Sequence, residues 1–398
     1  MNKSMLLILS FLLPVILCAC PTLIAQTPEP VIDCGTAYPT RDKPQSKIWY
    51  AHDSWWAWLP NGGAGGRLWR RGAEGVWNPQ AHLDSSLIKL PGRADVRASA
   101  NGDTVAAVLV EDSLLAVARL DWNPKPGRYE PVGEPVRWKA SSEVETVTID
   151  RRGDGAFWVA YPEDVEEGRR IVARKIELSA GKSGQGEAVI LAEGLYKDEI
   201  CAVVALEKGS TGVIWSDQHS EAVLFRTHCS QAPDSTWQAA DTVAVGEKTA
   251  DDHLNFCRPP AGAGPALLVA TKTSLDSVGL PLLCLRVLDR QGLWHSVPFA
   301  PLQPAGHPSR PVALWRDSGP VCLYTVYGPQ HRLYGMNSVM LQAFSDNGLR
   351  AVGPPREVIP PVKELNDVTG PKAAPYKAAC LILASDQSGK VYEAFVDR

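Results

Sequence analysis

Seven charged residues recur along this chain at intervals of about fifty. They are Lys47, Asp95, Glu145, Glu199, Asp252, Arg310 and Asp367, and each stands before a short apolar run. If those runs are equivalent strands of a closed ring, five carboxylates and two cations share one cup. Carboxylates brought together raise one another's pKa unless a cation intervenes. Two unit charges about 8 Å apart interact by roughly 2 kcal/mol at an effective dielectric of about 20. Such a cup has three ways to settle its charge: bound Ca²⁺, a cationic ligand, or pairing with Lys47 and Arg310. Carboxylates also accept hydrogen bonds from the hydroxyls of a sugar. The plainer reading of the column is that strands begin with polar residues because turns are solvated. No metal is assigned; Ca²⁺ is the ion the pattern would admit.

The densest polar cluster is Asp251-Asp252-His253-x-Asn255. On a strand His253 and Asn255 point one way and Asp252 the other. As an enzyme site, Asp252 or Glu145 would act as acid or base beside His253. As structure, the imidazole and amide would bridge neighbouring strands by hydrogen bonds to backbone. Asp217 and Lys272 fall in loops expected on the same face as the charged column. His52-Asp53 looks like a catalytic pair, but its setting between two strands makes it a tight turn. The glycine-rich run Asn61 to Gly66 lies between strands and is no phosphate loop. There is no C-x-x-C pair and no local signature of Ser-His-Asp catalysis.

The elements that must position these residues are strands. In the third unit, Thr146 to Ile149 opens, Phe157 to Tyr161 follows a turn, Arg170 to Leu178 alternates apolar and polar, and Ala188 to Leu191 closes. The other units repeat this grammar, and no helical periodicity appears. The expectation is an all-β chain, a seven-bladed β-propeller of four-stranded antiparallel blades, with six blades the alternative count. A straight β-solenoid is the competing architecture. The seventh unit lacks a clear fourth strand, and residues around Val31 to Tyr38 are placed to supply one. Most of the 13 tryptophans should pack between blades.

Ser46-Lys47-Ile48-Trp49-Tyr50-Ala51-His52-Asp53-Ser54-Trp55-Trp56 resembles a group of secreted bacterial and archaeal propellers, sialidase-like in fold. Ala250 to Asn255, Gly212 to Gln218 and Leu383 to Asp386 resemble the same group, so the likeness runs from about residue 46 to the C-terminus. The resemblance implies the propeller fold and brings no established reaction with it. It departs from sialidases proper in the Asp-box turns. Ser345-Asp346-Asn347-Gly348 and Ser385-Asp386-Gln387-Ser388-Gly389 have the wrong spacing.

The first segment reads as an export signal: Lys3, then an apolar run from Met5 to Leu17. Leu17-Cys18-Ala19-Cys20 resembles a bacterial lipobox, which makes Cys20 the candidate for lipidation; cleavage near Ala25 with free release is the alternative. A lipid on Cys20 would hold the protein to a membrane without a spanning helix. The expected organisation is therefore 1–20 signal, 21–45 Pro/Thr-rich tether, 46–398 propeller. The expected location is an outer-membrane or cell-surface lipoprotein, alternatively a secreted or periplasmic protein. A disulfide between Cys34 and Cys380 would tie the first ordered residues to the last blade. The formal charge of −4 gives no electrostatic footprint for nucleic acid. The functional expectation is a binding or scaffold protein presenting the cup to an extracellular glycan or an envelope protein. The alternative is a sialidase-like glycoside hydrolase or lyase acting at the same place.

Overall fold

The computed structural model describes residues 28–63, 65–151, 155–179, 182–328, 335–345, 347–373 and 379–396. The export segment and Cys20 lie outside the described residues. The chain forms seven antiparallel sheets of consecutive strands, a seven-bladed β-propeller. Blade 1 begins at Ile48–Ala51 and blade 3 at Thr148–Arg151; blades 4, 5, 6 and 7 begin at Cys201–Ala205, Leu254–Cys257, His307–Arg316 and Asn366–Thr369. Blade 2 begins at Arg93–Ala98 and carries a short extra strand, Arg128–Pro131, on its third strand.

The ring closes through its N-terminus. Ile32–Asp33 is the outer strand of blade 7 and pairs with Val391 and Lys390. From there the chain runs inward, and Thr40, Gln45, Ser46 and Lys47 are buried at the axis. Thr40 Oγ1 donates to Asp367 O at 2.7 Å, and Gln45 Nε2 to Val147 O at 2.7 Å. Residues 31–46 are thus part of the propeller, which corrects the expected tether. Pro and Thr suited a closing strand and a channel filling as well as a linker.

The first strand of every blade is a sheet edge, so half of its N–H groups have no ladder partner and need one elsewhere. Polar side chains on the neighbouring first strand supply it. Asp95 accepts Ile149 N at 2.7 Å, Thr148 Oγ1 accepts Val203 N at 2.9 Å, and Asp150 accepts Ala205 N at 2.7 Å. Asn255 accepts Ala313 N and Thr369 Oγ1 accepts Lys47 N, both at 3.2 Å. These bonds stitch one blade to the next around the axis.

Farther out the blades meet through apolar layers. Trp56 and Trp58 pack between blades 1 and 2, and Trp158 and Trp215 between blades 3 and 4; all four are fully buried. His52 and Asp53 both have positive φ, 50° and 55°, as the tips of the two-residue hairpin expected there. The seven cysteines from Cys34 onward are free thiols. Cys34 and Cys380 sit in different apolar clusters, so the expected disulfide does not form.

Candidate functional site

Two β-bulges shape the mouth of the channel where the first strands begin. Blade 6 is irregular between Ser309 and Val312, and blade 7 between Asn366 and Thr369. Arg310 and Asp367 sit in these irregularities with positive φ, 52° and 46°. Bulges re-aim side chains in this way. The pair meets at 2.6 Å, and Arg310 Nε donates to Tyr327 Oη at 2.7 Å. Tyr327 Oη in turn donates to Asn366 Oδ1 at 2.7 Å. Burial pushes the Tyr327 phenol up to about 12. Burial alone would depress Arg310, but Asp367 and Tyr327 outweigh it and hold the guanidinium charged.

The mouth is not the ring of five carboxylates expected. Cations from the N-terminal segment and from the blades partner most of these acids. Lys43 spans the axis, ion-paired with Glu145 of the third unit at 3.5 Å and with Asp252 of the fifth. Arg169 also reaches Glu145, at 3.4 Å, and Asp164 at 2.8 Å. Arg93 pairs with Asp42 at 3.1 Å. His253 Nδ1 contacts Asp251 at 2.6 Å and also Asp252, while Lys272 holds the other Asp251 oxygen at 2.5 Å. Burial would raise the Asp252 carboxyl, but His253 and Lys43 outweigh it and hold it well below the usual range. Asp251, Asp252 and His253 are the one group of potential metal ligands among the described residues, each offering an atom within 4.8 Å of the others.

Of the residues singled out by sequence, Glu145, Asp252, Arg310 and Asp367 converge here, with His253 and Lys272 behind Asp252. Asp95, Glu199 and Asp217 do not join them. Asp95 lies within the strand Arg93–Ala98 rather than before it, fully buried, taking the Ser46 and Ile149 N–H groups and the Lys372 ammonium. Burial raises its pKa, and those donors oppose the rise. Glu199 is buried and accepts the Gln218 N–H, bracing a loop; burial pushes its pKa up too. Asp217 caps a turn through Ser220 N at 3.0 Å. Lys47 is fully buried, donating to Ala94 O at 2.7 Å.

Two adjoining clefts open at this mouth. One, of about 300 Å³, is lined by Tyr38, Arg41, Lys43, Arg310 and Asp367, among others. The other, of about 400 Å³, runs past Glu111, Asp112, Asp164 and Arg169. Arg41, Arg93 and Glu145 line both. Tyr38, Arg41, Lys43, Arg93 and Arg169 were not expected. The charged triplet Arg41-Asp42-Lys43, a few residues before the first strand of blade 1, was the available signal for part of this set.

No family model matches the chain, and no curated protein is similar to it in sequence. Among solved structures it is similar to an ulvan lyase, from a new family of polysaccharide lyase, bound to -[GlcA(1-4)Rha3S]-. The TM-score is 0.53 at 9% identity, over 92% of this chain and 95% of the other. A second ulvan lyase structure gives 0.51 at 9% identity, over 92% and 96%. A Penicillium chrysogenum alpha-L-arabinanase complexed with arabinobiose gives 0.45 at 12% identity, over 78% and 98%. At these identities the ulvan lyase likeness is one of fold, and the arabinanase match is too loose to add to it.

Proposed function

We propose that this protein binds an extracellular oligosaccharide across the first-strand mouth of the propeller, held to its membrane by a lipid on Cys20. The observation that carries the reading is the pair of clefts joined at Arg41, Arg93 and Glu145. Each reaches the size of small-ligand pockets, about 300 Å³ and upward. Together they offer alternating guanidinium donors and carboxylate acceptors, the groups that pair with sugar hydroxyls. A propeller of similar fold acts on a polysaccharide, which supports the class of ligand. Membership of the sialidase-like group is part of the same proposal.

Turnover is the second reading, favoured by one placement. Tyr38 shares a cleft with Arg310 and Arg41. Elimination from a uronate needs a cation on the carboxylate, a base to take the proton from the carbon beside it, and a proton donor for the glycosidic oxygen that leaves as its C–O bond breaks and the C=C bond forms. Hydrolysis fits less well. It needs a carboxyl left free as acid, and the two carboxyls singled out for that role, Glu145 and Asp252, are both engaged by Lys43.

Calorimetric titration of neutral and uronate-containing oligosaccharides tests binding. Arg41 is exposed and has no ion pair among the described residues, so Arg41→Ala should fold normally and weaken binding about tenfold, the scale of one charged hydrogen bond. Wild-type affinity in both Arg41→Ala and Glu145→Gln would remove the mouth as the site. An unsaturated uronate product, absorbing in the ultraviolet, would establish the lyase reading instead. Lys43 and Lys272 already supply cations to Asp252 and Asp251. Millimolar Ca²⁺ is therefore expected to leave the melting temperature unchanged, and a rise would restore the metal reading.

A further inference from the structure

The other end of the channel, where the first strands finish, holds a second cavity of about 410 Å³. Its wall is formed by the ends of the first strands of blades 1 and 2, by Arg258 of blade 5 and by Pro371 to Ala373 of blade 7. Three cationic side chains line it: Arg97, Arg258 and Lys372. Their charge is only partly met. Lys372, 7% exposed, donates to Asp95 and to Ile149 O, and lies 5.8 Å from the centroid of the Phe256 ring. Arg97 Nε is 2.8 Å from Asp150 Oδ1.

Both of those carboxylates are themselves shared with backbone. Asp95 accepts two N–H groups, from Ser46 and Ile149. Asp150 accepts two more, from Arg151 and Ala205. Arg258 is half-buried and has no hydrogen-bond or ion-pair partner among the described residues. Among the described residues Asp53 is the one carboxylate in the cavity wall, and it is exposed at the rim. The buried Gln45–Lys47 segment is bonded to Val147 O of blade 3, Gly370 O of blade 7 and Ala94 O of blade 2.

We infer that this cavity is an oxyanion site, separate from the glycan cleft, in which Arg258 and Arg97 grip a sulfate, phosphate or carboxylate group. Guanidinium groups suit such ligands because their planar donors match the spacing of two oxyanion oxygens. Lys372 supplies positive potential from behind while staying bonded to Asp95, so the site is preorganised by bonds that also stitch blade 2 to blade 3. Two carboxylates, Asp95 and Asp150, stand against three cations and leave the site net positive inside its rim, and both share their oxygens with backbone N–H groups. The group sits either on a free ion or on the end of an acidic saccharide.

Calorimetry on the full chain, with inorganic sulfate, inorganic phosphate and glucuronate as separate probes, tests the site. Saturable binding of at least one is expected, weakening as NaCl is raised. Arg258→Gln removes a side chain with no hydrogen-bond or ion-pair partner among the described residues and should weaken that binding about ten- to a hundredfold, the range of a charged hydrogen bond. Ala373→Glu places a carboxylate at the exposed rim and should abolish it. Arg41→Ala, at the other mouth, should leave sulfate and phosphate binding unchanged, so failure of the glycan proposal and failure of this one are distinguishable with those two probes. A sulfated disaccharide that binds more tightly than free sulfate would identify the saccharide as the source, and equal affinity would identify the free ion. No saturable binding of any probe, or equal binding by the wild type and both cavity variants, overturns the inference.

Discussion

Lys47 shows how far the charged column could be read and where the reading stopped. Its type and position stand out in the sequence, and its fate depends on what surrounds it. In the ring it is fully buried between Asp42, Gln45 and the Ala94 carbonyl. Burial lowers its pKa from 10.5 to about 8, with Asp42 and Asp95 opposing the fall. Below about pH 8 the ammonium is protonated in both folded and unfolded chains, and stability is flat with respect to this group. Between about 8 and 10.5 the unfolded chain holds the extra proton, so stability rises with pH. The rise should total roughly 3 kcal/mol. Urea unfolding of wild type and Lys47→Met across that interval isolates it, since other titrating groups are common to both. Identical slopes would mean that Lys47 is hydrated through an opening into the channel. What the sequence could not reveal is the partner. Asp42 and Lys43 sit in a stretch whose composition also suits a linker, and nothing local shows that the stretch turns back through the axis.

At the scale of the element, the outer strand of blade 7 decides whether the ring closes. The need for it was legible, because the seventh unit lacks a strand and Val31 to Tyr38 has the right apolar residues. Its register was not, since a two-residue pairing carries too little pattern. The structure sets it with backbone bonds, Val31 N to Val391 O at 2.7 Å and Cys34 N to Gly389 O at 3.0 Å. Gly389 has φ +90°, and a Cβ there would lie 2.8 Å from Thr36 O and 2.9 Å from Thr36 N. Gly389→Ala therefore strains its own turn and pushes the closing segment away. Gly279 has φ +89° and faces open space, with no atom within 4 Å of where a Cβ would stand, so Gly279→Ala carries the backbone cost alone. The expected order is a loss of about 1 kcal/mol for Gly279→Ala and about 2–3 kcal/mol for Gly389→Ala. Equal melting temperatures for the two variants would show that the closing strand yields without cost.

Across the whole molecule, closure turns a row of modules into a body whose parts should open together. In a linear repeat array each unit contacts its neighbours alone and the ends fray. Here blade 7 is bonded to blade 1 by Thr369 to Lys47, and Thr40 and Ser46 tie the N-terminal segment to Asp367 and Gly370. The free thiols report on this. Cys34, Cys201, Cys257, Cys284, Cys322 and Cys380 are buried at the closure and in blades 4 to 7, whereas Cys229 is partly exposed in a loop of blade 4. Burial pushes Cys34, Cys257 and Cys380 up to about 12. A thiol so placed is inert toward a disulfide reagent until its blade opens. Among the described cysteines, Cys229 alone should react fast in the native protein, and Cys229→Ser should remove that phase. The remaining thiols should react together, at a rate set by global unfolding and equally accelerated by urea. Gly389→Ala should speed all of them rather than Cys34 and Cys380 alone. Should Cys380 react ahead of Cys201 in the wild type, the blades open separately and the ring is a string of modules joined at its ends.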